Sequence, residues 1–258
     1  MKLNHIYNEC CLSTLKRLKN NSINCCITSP PYNMNLRIRN GEYCSRQITK
    51  ELTTKYENFA DNLDLETYNK FHTNVLIELM RVSDLVFYNI QIVTGSKRSV
   101  FKMIGDLAEY LKDIIVWDKG HAEPSIGSGI LNKRTELILV FAKDNAISRK
   151  FENAQFQRGG LNDLWYIPVK KVQTEKHKAI FPTKLVQTII QNFTKENDII
   201  YDPFMGTGTT AVVAKSMNRF YLGSEISKQY CEIAESKIKE KTSMPLFEKQ
   251  NYYPLSLF

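Results

Sequence analysis

The sequence predicts an α/β fold with a doubly wound, largely parallel sheet between two layers of helices. Short apolar runs typical of buried strands alternate with longer runs whose apolar residues recur at helical spacing. A glycine-rich loop joins a strand-like run to a helix in the C-terminal third, and a rigid proline turn follows another such run near the N-terminus. Because ligands bind at the carboxyl ends of strands in these sheets, both turns are candidate binding sites.

The N-terminal two-thirds of the chain carry four predicted strands and two predicted helices. The strands are short apolar runs, several of them rich in β-branched or aromatic residues. The first helix places six apolar side chains on one face, namely Leu65, Tyr68, Phe71, Val75, Leu76 and Leu79. The predicted strands span 23–27, 85–93, 114–117 and 137–141, and the predicted helices span 65–80 and 100–111.

The C-terminal third predicts a strand, a loop, a helix and a second strand, which together form one β-loop-α-β unit. A helix precedes this unit and another follows it. The elements in order are a helix from Thr183, a strand at 198–201 that ends at Asp202, the loop 204–208, a helix at 211–217, a strand at 220–223 that ends at Glu225, and a helix through 230–238.

The composition indicates a single folded domain with surplus positive charge. A chain of 258 residues suits one domain, 1–258, with sizeable insertions better than two domains. The 35 basic residues against 27 acidic ones give a net charge of +8, which favours polyanionic partners. No apolar stretch approaches the roughly 20 residues that a membrane span needs. We therefore expect no membrane partner and a cytoplasmic protein.

The six cysteines include two adjacent pairs, Cys10-Cys11 and Cys25-Cys26. Neighbouring side chains of an extended segment point to opposite faces, so such pairs hold a metal poorly. We expect buried reduced thiols and no metal, with a zinc site as the alternative.

Two segments, 33–62 and 119–178, interrupt the pattern and are interpreted as insertions. Insertions of this length are often functional, although solvated surface loops are the alternative. In the second segment, aromatic residues are interleaved with basic ones. The basic residues singled out are Arg149, Lys150, Arg158, Lys170 and Lys171.

The glycine loop has the form of a site for an anionic ligand. It reads DPFMGTGTTA over 202–211. Missing side chains let a ligand approach the backbone, and a helix N-terminus favours anionic groups. A P-loop is excluded because no Gly-Lys-Ser/Thr follows. A plain turn, a dinucleotide site and an adenosylmethionine site all remain open for this loop alone, because Gly206, Gly208 and Ala211 also match the dinucleotide fingerprint.

The proline turn carries the decisive motif. It reads TSPPYN over 28–33. Two consecutive prolines stiffen the chain, but a rigid surface turn leaves Ser29 and Tyr32 unexplained. This turn resembles the catalytic Asp/Asn/Ser-Pro-Pro-aromatic motif of the DNA methyltransferases that act on adenine N6 or cytosine N4. The loop at 202–210 resembles their cofactor motif, and 176–182 resembles the segment before it.

The order of the two motifs, with the catalytic one first, resembles the permuted beta group of that family. The resemblance implies a circularly permuted, Rossmann-like methyltransferase sheet, S-adenosylmethionine as cofactor, double-stranded DNA as partner and a restriction-modification system. It is compatible with a homodimer and with a cognate restriction endonuclease, neither of which the residues specify.

The resemblance also assigns roles to individual residues. The implied catalytic residues are Ser29, Pro30, Pro31 and Tyr32. The implied cofactor-binding residues are Asp202, Pro203, Phe204, Gly206, Gly208, Thr209, Glu225 and Phe181. We expect Glu225 to accept hydrogen bonds from ribose hydroxyls. The basic residues singled out above are the predicted DNA contacts, and both insertions are expected to contribute to target recognition.

One position departs from the family pattern. Relatives carry an acid after the first strand, in a segment like Ile-Tyr-Asn-x-Asp-Cys-Leu. This chain reads IYNECCL over 6–12, so Cys10 stands where the acid would be. Glu9 replaces that acid only if the register shifts, which leaves the contact to the adenine edge of the cofactor open.

A serine at the first motif position resembles the cytosine-N4 members, whereas aspartate is more frequent in the adenine-N6 members. We therefore favour N4 of cytosine, with N6 of adenine as the alternative. The target base is expected to flip out of the duplex and stack on Tyr32. The Pro30 carbonyl and Ser29 hydroxyl would accept the two amine hydrogens. An NAD-dependent oxidoreductase and a non-catalytic nucleic-acid-binding module are more distant alternatives.

Overall fold

The computed structural model describes residues 1–33, 36–39, 42–45, 63–122, 128–169 and 181–241. The strands in these ranges are β1 His5–Tyr7, β2 Ile23–Thr28, β3 Leu36–Arg39, β4 Glu42–Ser45, β5 Ser83–Ile90, β6 Leu111–Asp118, β7 Thr135–Phe141, β8 Leu164–Tyr166, β9 Ile199–Asp202 and β10 Phe220–Ser224. The α-helices are α1 Cys11–Arg17, α2 Leu65–Val82, α3 Lys97–Asp106, α4 Thr183–Phe193, α5 Thr209–Ser216 and α6 Lys228–Lys241.

Eight strands form one sheet in the order β1-β10-β9-β2-β5-β7-β6-β8. All neighbouring pairs are parallel except those of β7, which runs antiparallel to both β5 and β6. The sheet confirms the predicted fold class. It also brings the two ends of the chain together, since the C-terminal strands β9 and β10 lie between the N-terminal strands β1 and β2.

Helices cover both faces of the sheet. Alternate residues of the central strands supply the two cores: Cys25 and Ile27 belong to the core beneath α4, α5 and α6, whereas Cys26 belongs to the core beneath α1, α2 and α3. This alternation follows from the period of two along a strand. The Asp64 side chain caps α2 by accepting hydrogen bonds from the backbone nitrogens of Glu66 and Thr67.

Several element boundaries differ from the predicted ones. β5 begins at Ser83, because Ser83 pairs with Ile23 of β2, and it ends at Ile90 rather than 93. The helix predicted to reach 111 ends at Asp106, and a short 3-10 helix at Ala108–Tyr110 follows it. Leu111 instead starts β6 and pairs with Phe141 of β7. Tertiary pairing thus overrides local helical periodicity here.

Two predicted insertions contain strands that periodicity did not indicate. The hairpin β3–β4 lies within 33–62, and β8 lies within 119–178, which also contains the predicted strand now seen as β7. The three residues of β8 are too few for a visible alternation, although only Trp165 among them is buried. Pairing with β6, rather than local pattern, defines this strand.

The cysteines correct one expectation. Cys11, Cys25, Cys26 and Cys231 are buried free thiols, but Cys10 is exposed because it precedes α1 at the edge of the sheet.

Within the described ranges, no cluster of three or more potential ligands is placed to hold a metal. In the same part of the chain, no helix has both the length and the apolar character needed to cross a membrane.

Candidate active site

The proline turn and the glycine loop begin at neighbouring strands. β2 and β9 run parallel and side by side, with Cys26 opposite Tyr201, so both turns leave the same carboxyl edge of the sheet. A buried hydrogen bond of 2.6 Å from Thr28 Oγ1 to Asp202 Oδ1 joins the last residues of the two strands. The structure therefore brings residues 174 positions apart together at one edge of the sheet, where doubly wound sheets bind their ligands.

Neighbouring elements fix the backbone of the proline turn. Tyr68 of α2 donates a hydrogen bond of 3.1 Å to the Pro31 carbonyl, and the Ser96 hydroxyl lies 3.4 Å from the Tyr32 carbonyl. Asn33 exchanges two hydrogen bonds of 2.8 Å with the backbone of Leu63. Asn33 and Leu63 thus lie side by side next to the turn.

A polar cluster lies behind the turn. The hydroxyls of Ser29 and Tyr32 are 2.5 Å apart, and Asn89 Nδ2 lies 2.6 Å from Tyr32 Oη and 2.7 Å from Glu136 Oε2. Lys119 Nζ is 3.1 Å from the other Glu136 oxygen. Asn89, Glu136 and Lys119 were not predicted as site residues. The available signal was an amide and a carboxylate, Asn89 and Glu136, each next to a run of apolar strand residues.

The glycine loop is shaped by two left-handed residues. Gly206 has φ +52° and Gly208 has φ +86°, conformations that glycine adopts without steric penalty. A Cβ at Gly208 would lie 2.7 Å from the Ala234 Cβ, so α6 packs directly against this residue. At Gly206 the nearest atom would be the Phe204 carbonyl oxygen at 3.9 Å. Gly208 is therefore required by packing, whereas Gly206 leaves space above the loop.

Asp202 ties the loop to the rest of the site. Its carboxylate accepts hydrogen bonds from Thr28 Oγ1 at 2.6 Å, from Thr210 Oγ1 at 2.7 Å and from the Phe204 backbone nitrogen at 3.0 Å. Burial raises the pKa of Asp202 to about 6, because desolvation outweighs these hydrogen bonds. Asp202 therefore holds β2, β9 and α5 together at the site.

Glu225 follows β10 and faces the glycine loop. Its two oxygens accept hydrogen bonds of 2.8 Å from the backbone nitrogens of Gly206 and Ser227. Burial raises the pKa of this carboxyl group, against the effect of those hydrogen bonds. Each carboxylate oxygen can accept a second hydrogen bond, so Glu225 is positioned to receive hydroxyl groups from a ligand above the loop.

The end of β1 lies beside Glu225, because Tyr7 pairs with Ser224. The Glu9 carboxylate binds the Arg17 guanidinium and accepts a hydrogen bond from Thr14. Glu9 is therefore engaged within the protein, which leaves Cys10 at the position of the family acid. A side-chain hydrogen bond with Cys11 lowers the pKa of the exposed Cys10 thiol.

The remaining predicted cofactor residues lie at the same edge of the sheet. Pro203 is buried and Phe204 half-buried in the loop, and Thr209 begins α5. Phe181 precedes α4 and is half-buried against the core. Because α4 leads into the start of β9, its first turn lies at the carboxyl edge too.

The structure places Arg149 and Lys150, two of the predicted DNA contacts, away from this edge. Lys112, at the start of β6, donates hydrogen bonds to the Asn145 and Ser148 carbonyls at 3.0 and 2.6 Å. Arg149 and Lys150 follow directly and are exposed at the opposite, amino edge, because the antiparallel β7 delivers the chain there. Arg158 is exposed in the loop before β8. Lys170 and Lys171 lie outside the described residues.

Comparison with known proteins decides the family. The N6/N4 DNA methylase family model matches residues 23–236, which include both the proline turn and the glycine loop. The chain belongs to this DNA methylase family. It is accordingly a DNA methyltransferase of the group that modifies exocyclic base amines.

Individual relatives agree with this assignment. The methylase is 28% identical to the Type II methyltransferase M.BglII of Bacillus subtilis. The alignment has 271 positions and covers 90% of this chain and 68% of the relative. Its fold matches the cytosine-N4-specific PvuII DNA methyltransferase with a TM-score of 0.67 at 15% identity, covering 92% and 89% of the two chains. It also matches M1.HpyAVI, solved as a complex with SAM, with a TM-score of 0.60 at 23% identity, covering 90% and 98%.

Proposed function

We propose that this methylase transfers a methyl group from S-adenosylmethionine to the exocyclic N4 amine of cytosine in double-stranded DNA. The hydrogen bond between Thr28 and Asp202 carries the proposal, because it fixes the motif turn Ser29–Tyr32 beside the glycine loop. A base bound at the first turn and a nucleoside cofactor bound at the second would meet at one edge of the sheet. Catalysis would then consist mainly of positioning and electrostatic stabilisation.

The residues of the glycine loop fit S-adenosylmethionine. The Glu225 carboxylate retains acceptor capacity for ribose hydroxyls, and the open space above Gly206 admits a ligand close to the backbone. The start of α5 favours the carboxylate of the amino acid moiety. The cofactor supplies a sulfonium methyl group, as expected from the similarity to M1.HpyAVI, whose structure contains SAM. Asp202, Pro203, Phe204, Gly208, Thr209 and Phe181 would complete the pocket.

The proline turn would hold the target base. A flipped base can stack on the Tyr32 ring, an interaction worth about 1–3 kcal/mol. The Ser29 hydroxyl and the Pro30 carbonyl would accept the two amine hydrogens and direct the nitrogen lone pair toward the methyl group. Pro31 contributes by rigidity, since its carbonyl is already bound by Tyr68.

Two observations favour cytosine over adenine as the target. The first motif position is Ser29 rather than an aspartate, and the PvuII methyltransferase of the same fold is cytosine-N4-specific.

The similarity to the Type II methyltransferase M.BglII favours a role in restriction-modification. A cognate endonuclease, a homodimer and a cytoplasmic location stay predictions.

Product analysis tests this proposal. The purified methylase would be incubated with S-adenosylmethionine and unmethylated plasmid, and the DNA digested to nucleosides for mass spectrometry. We expect N4-methylcytosine, formed more slowly but still measurably by Ser29→Ala, and formed at the wild-type rate by Glu109→Gln, which changes an exposed side chain. N6-methyladenine as the sole product would contradict the choice of base. The absence of both nucleosides would contradict the proposed activity.

We also propose a DNA-facing surface at the carboxyl edge. Lys97 and Arg98 begin α3 after β5 ends there, and both are exposed. Each phosphate contact contributes about −0.9 to the slope of log affinity against log salt concentration. We therefore expect Lys97→Gln/Arg98→Gln to make the slope shallower by about 2, measured by fluorescence anisotropy of labelled duplex DNA.

The matched control removes the same charge from the opposite edge. Arg149→Gln/Lys150→Gln should leave the salt slope unchanged, because these side chains lie away from both turns. If the slope became shallower in this control and stayed unchanged in the α3 variant, the result would support the sequence prediction that Arg149 and Lys150 contact DNA.

A further inference from the structure

A buried carboxylate stands behind the proline turn and belongs to neither motif. Glu136 of β7 has a relative exposure of 9% and forms an ion pair of 3.1 Å with Lys119, whose side chain is 16% exposed. Buried ion pairs are costly to desolvate and are a weak source of stability. Their presence directly behind Ser29 and Tyr32 calls for a role in the site.

The carboxylate fixes the orientation of Asn89. An ionised carboxylate only accepts hydrogen bonds, so the group that lies 2.7 Å from Glu136 Oε2 must be the Asn89 amide nitrogen. The same nitrogen is 2.6 Å from Tyr32 Oη, and the two N–H groups serve these two oxygens. Asn89 Oδ1 is left buried without a protein partner among the described residues.

Asn89 in turn constrains the hydroxyls. Because Tyr32 Oη receives a hydrogen from Asn89, its own proton is directed to an acceptor, and the Glu136 carboxylate lies 3.3 Å away. Ser29 Oγ, 2.5 Å from Tyr32 Oη, then donates its proton to the phenol oxygen. In this arrangement the hydroxyl protons of Tyr32 and Ser29 and the two amide protons of Asn89 are donated within the cluster, which leaves Ser29 Oγ with lone pairs only.

We infer that Glu136 is a positioning residue that sets the Ser29 hydroxyl as a hydrogen-bond acceptor for the target amine, acting through Tyr32 and Asn89. A serine hydroxyl can both donate and accept. If it donated to the amine nitrogen, it would engage the lone pair that must attack the methyl group. The direction imposed by Glu136 excludes that arrangement. Lys119 places the opposite charge beside this carboxylate.

This inference rests on the proposed amine methylation, and the variant Glu136→Gln tests it. Glutamine keeps the shape, but its amide can donate to Tyr32 and reverse the chain of hydrogen bonds. We expect the single-turnover rate with tritiated S-adenosylmethionine to fall roughly 10- to 100-fold, the effect of one hydrogen bond to a charged group. The KM for S-adenosylmethionine should stay unchanged, and Glu109→Gln should behave as wild type.

A double-mutant comparison with Ser29→Ala distinguishes a positioning role of Glu136 from a structural one. In the Ser29→Ala background no hydroxyl remains to be oriented, so Glu136→Gln should lower the rate by less than about twofold there. An equal loss in both backgrounds, in an enzyme that methylates DNA, would overturn the inference and leave the proposed function standing.

A second variant keeps the test decisive if Glu136→Gln does not fold. Tyr32→Phe retains the stacking ring and removes only the relaying hydroxyl. We expect a similar loss of rate, again coupled to Ser29→Ala, with an unchanged thermal unfolding midpoint. A Tyr32→Phe enzyme with the wild-type rate would overturn the inference.

Discussion

Gly208→Ala is expected to destabilise this methylase by about 2–5 kcal/mol, whereas Gly206→Ala should destabilise it by only about 1–2 kcal/mol. Both residues have positive φ, so both substitutions carry the left-handed strain. Only at Gly208 does the added methyl group meet α6, at 2.7 Å from the Ala234 Cβ and 3.0 Å from its Cα. The difference between the two losses of stability therefore measures the close packing of the glycine loop on α6.

Urea denaturation of both variants checks this prediction, provided that the m-values remain equal to that of the wild type. Ala234→Gly removes the closer of the two clashing atoms and serves as the internal control. It should weaken the wild type slightly, as glycine does in helices, yet partly restore Gly208→Ala. Equal losses for the two glycine variants would show that backbone strain, not packing, dominates.

Asp202 is expected to make the methylase less stable as the pH rises from about 4 to 6. Burial raises the pKa of Asp202 to about 6, whereas an unfolded aspartate titrates near 3.9. The folded state therefore binds the proton of Asp202 more tightly than the unfolded state does. The stability that this proton contributes is fully present below the unfolded pKa and is lost as the pH rises through the folded pKa. The difference between the two pKa values corresponds to about 3 kcal/mol, lost by pH 7.

Asp202→Asn isolates this contribution. The amide can accept hydrogen bonds from Thr28 and Phe204 through Oδ1 and donate to the Thr210 hydroxyl through Nδ2. We expect the variant to exceed the wild type by about 3 kcal/mol at pH 8 and to match it near pH 4.

Free energies of unfolding in urea between pH 4 and 8 measure this difference. Asp163→Asn, at an exposed carboxyl group, controls for the loss of one acid. If Asp202→Asn were less stable than the wild type at pH 8, the hydrogen bonds of the ionised carboxylate would outweigh its desolvation.

Both predictions concern residues that hold the two turns together. Asp202 joins β2, β9 and α5, and Gly208 lets α5 begin directly against α6. The candidate active site is therefore held together by the same contacts that join neighbouring elements of the fold. Substitutions at these positions are expected to change stability and cofactor binding together.

Local patterns in the sequence were sufficient for the family and for most of the longer strands and helices. The helical spacing over 65–80 and the apolar run before Thr28 predicted α2 and β2, because the period of apolar residues reports which face is buried. The motifs at 28–33 and 202–211 indicated the amine-methylating DNA methyltransferases, and the family match confirms that resemblance. The ends of β5 and α3 were less well predicted, because pairing with β2 and β7 defines them.

The sequence by itself determined the fold class, the family motifs in the two turns and their separation along the chain. Only the tertiary structure decided that Glu136 and Asn89 stand behind Ser29, that α6 packs on Gly208, and that Arg149 lies at the far edge. These facts depend on the order of the strands and on the reversed direction of β7. Strand order joins residues more than a hundred positions apart, and local periodicity carries no information about such contacts.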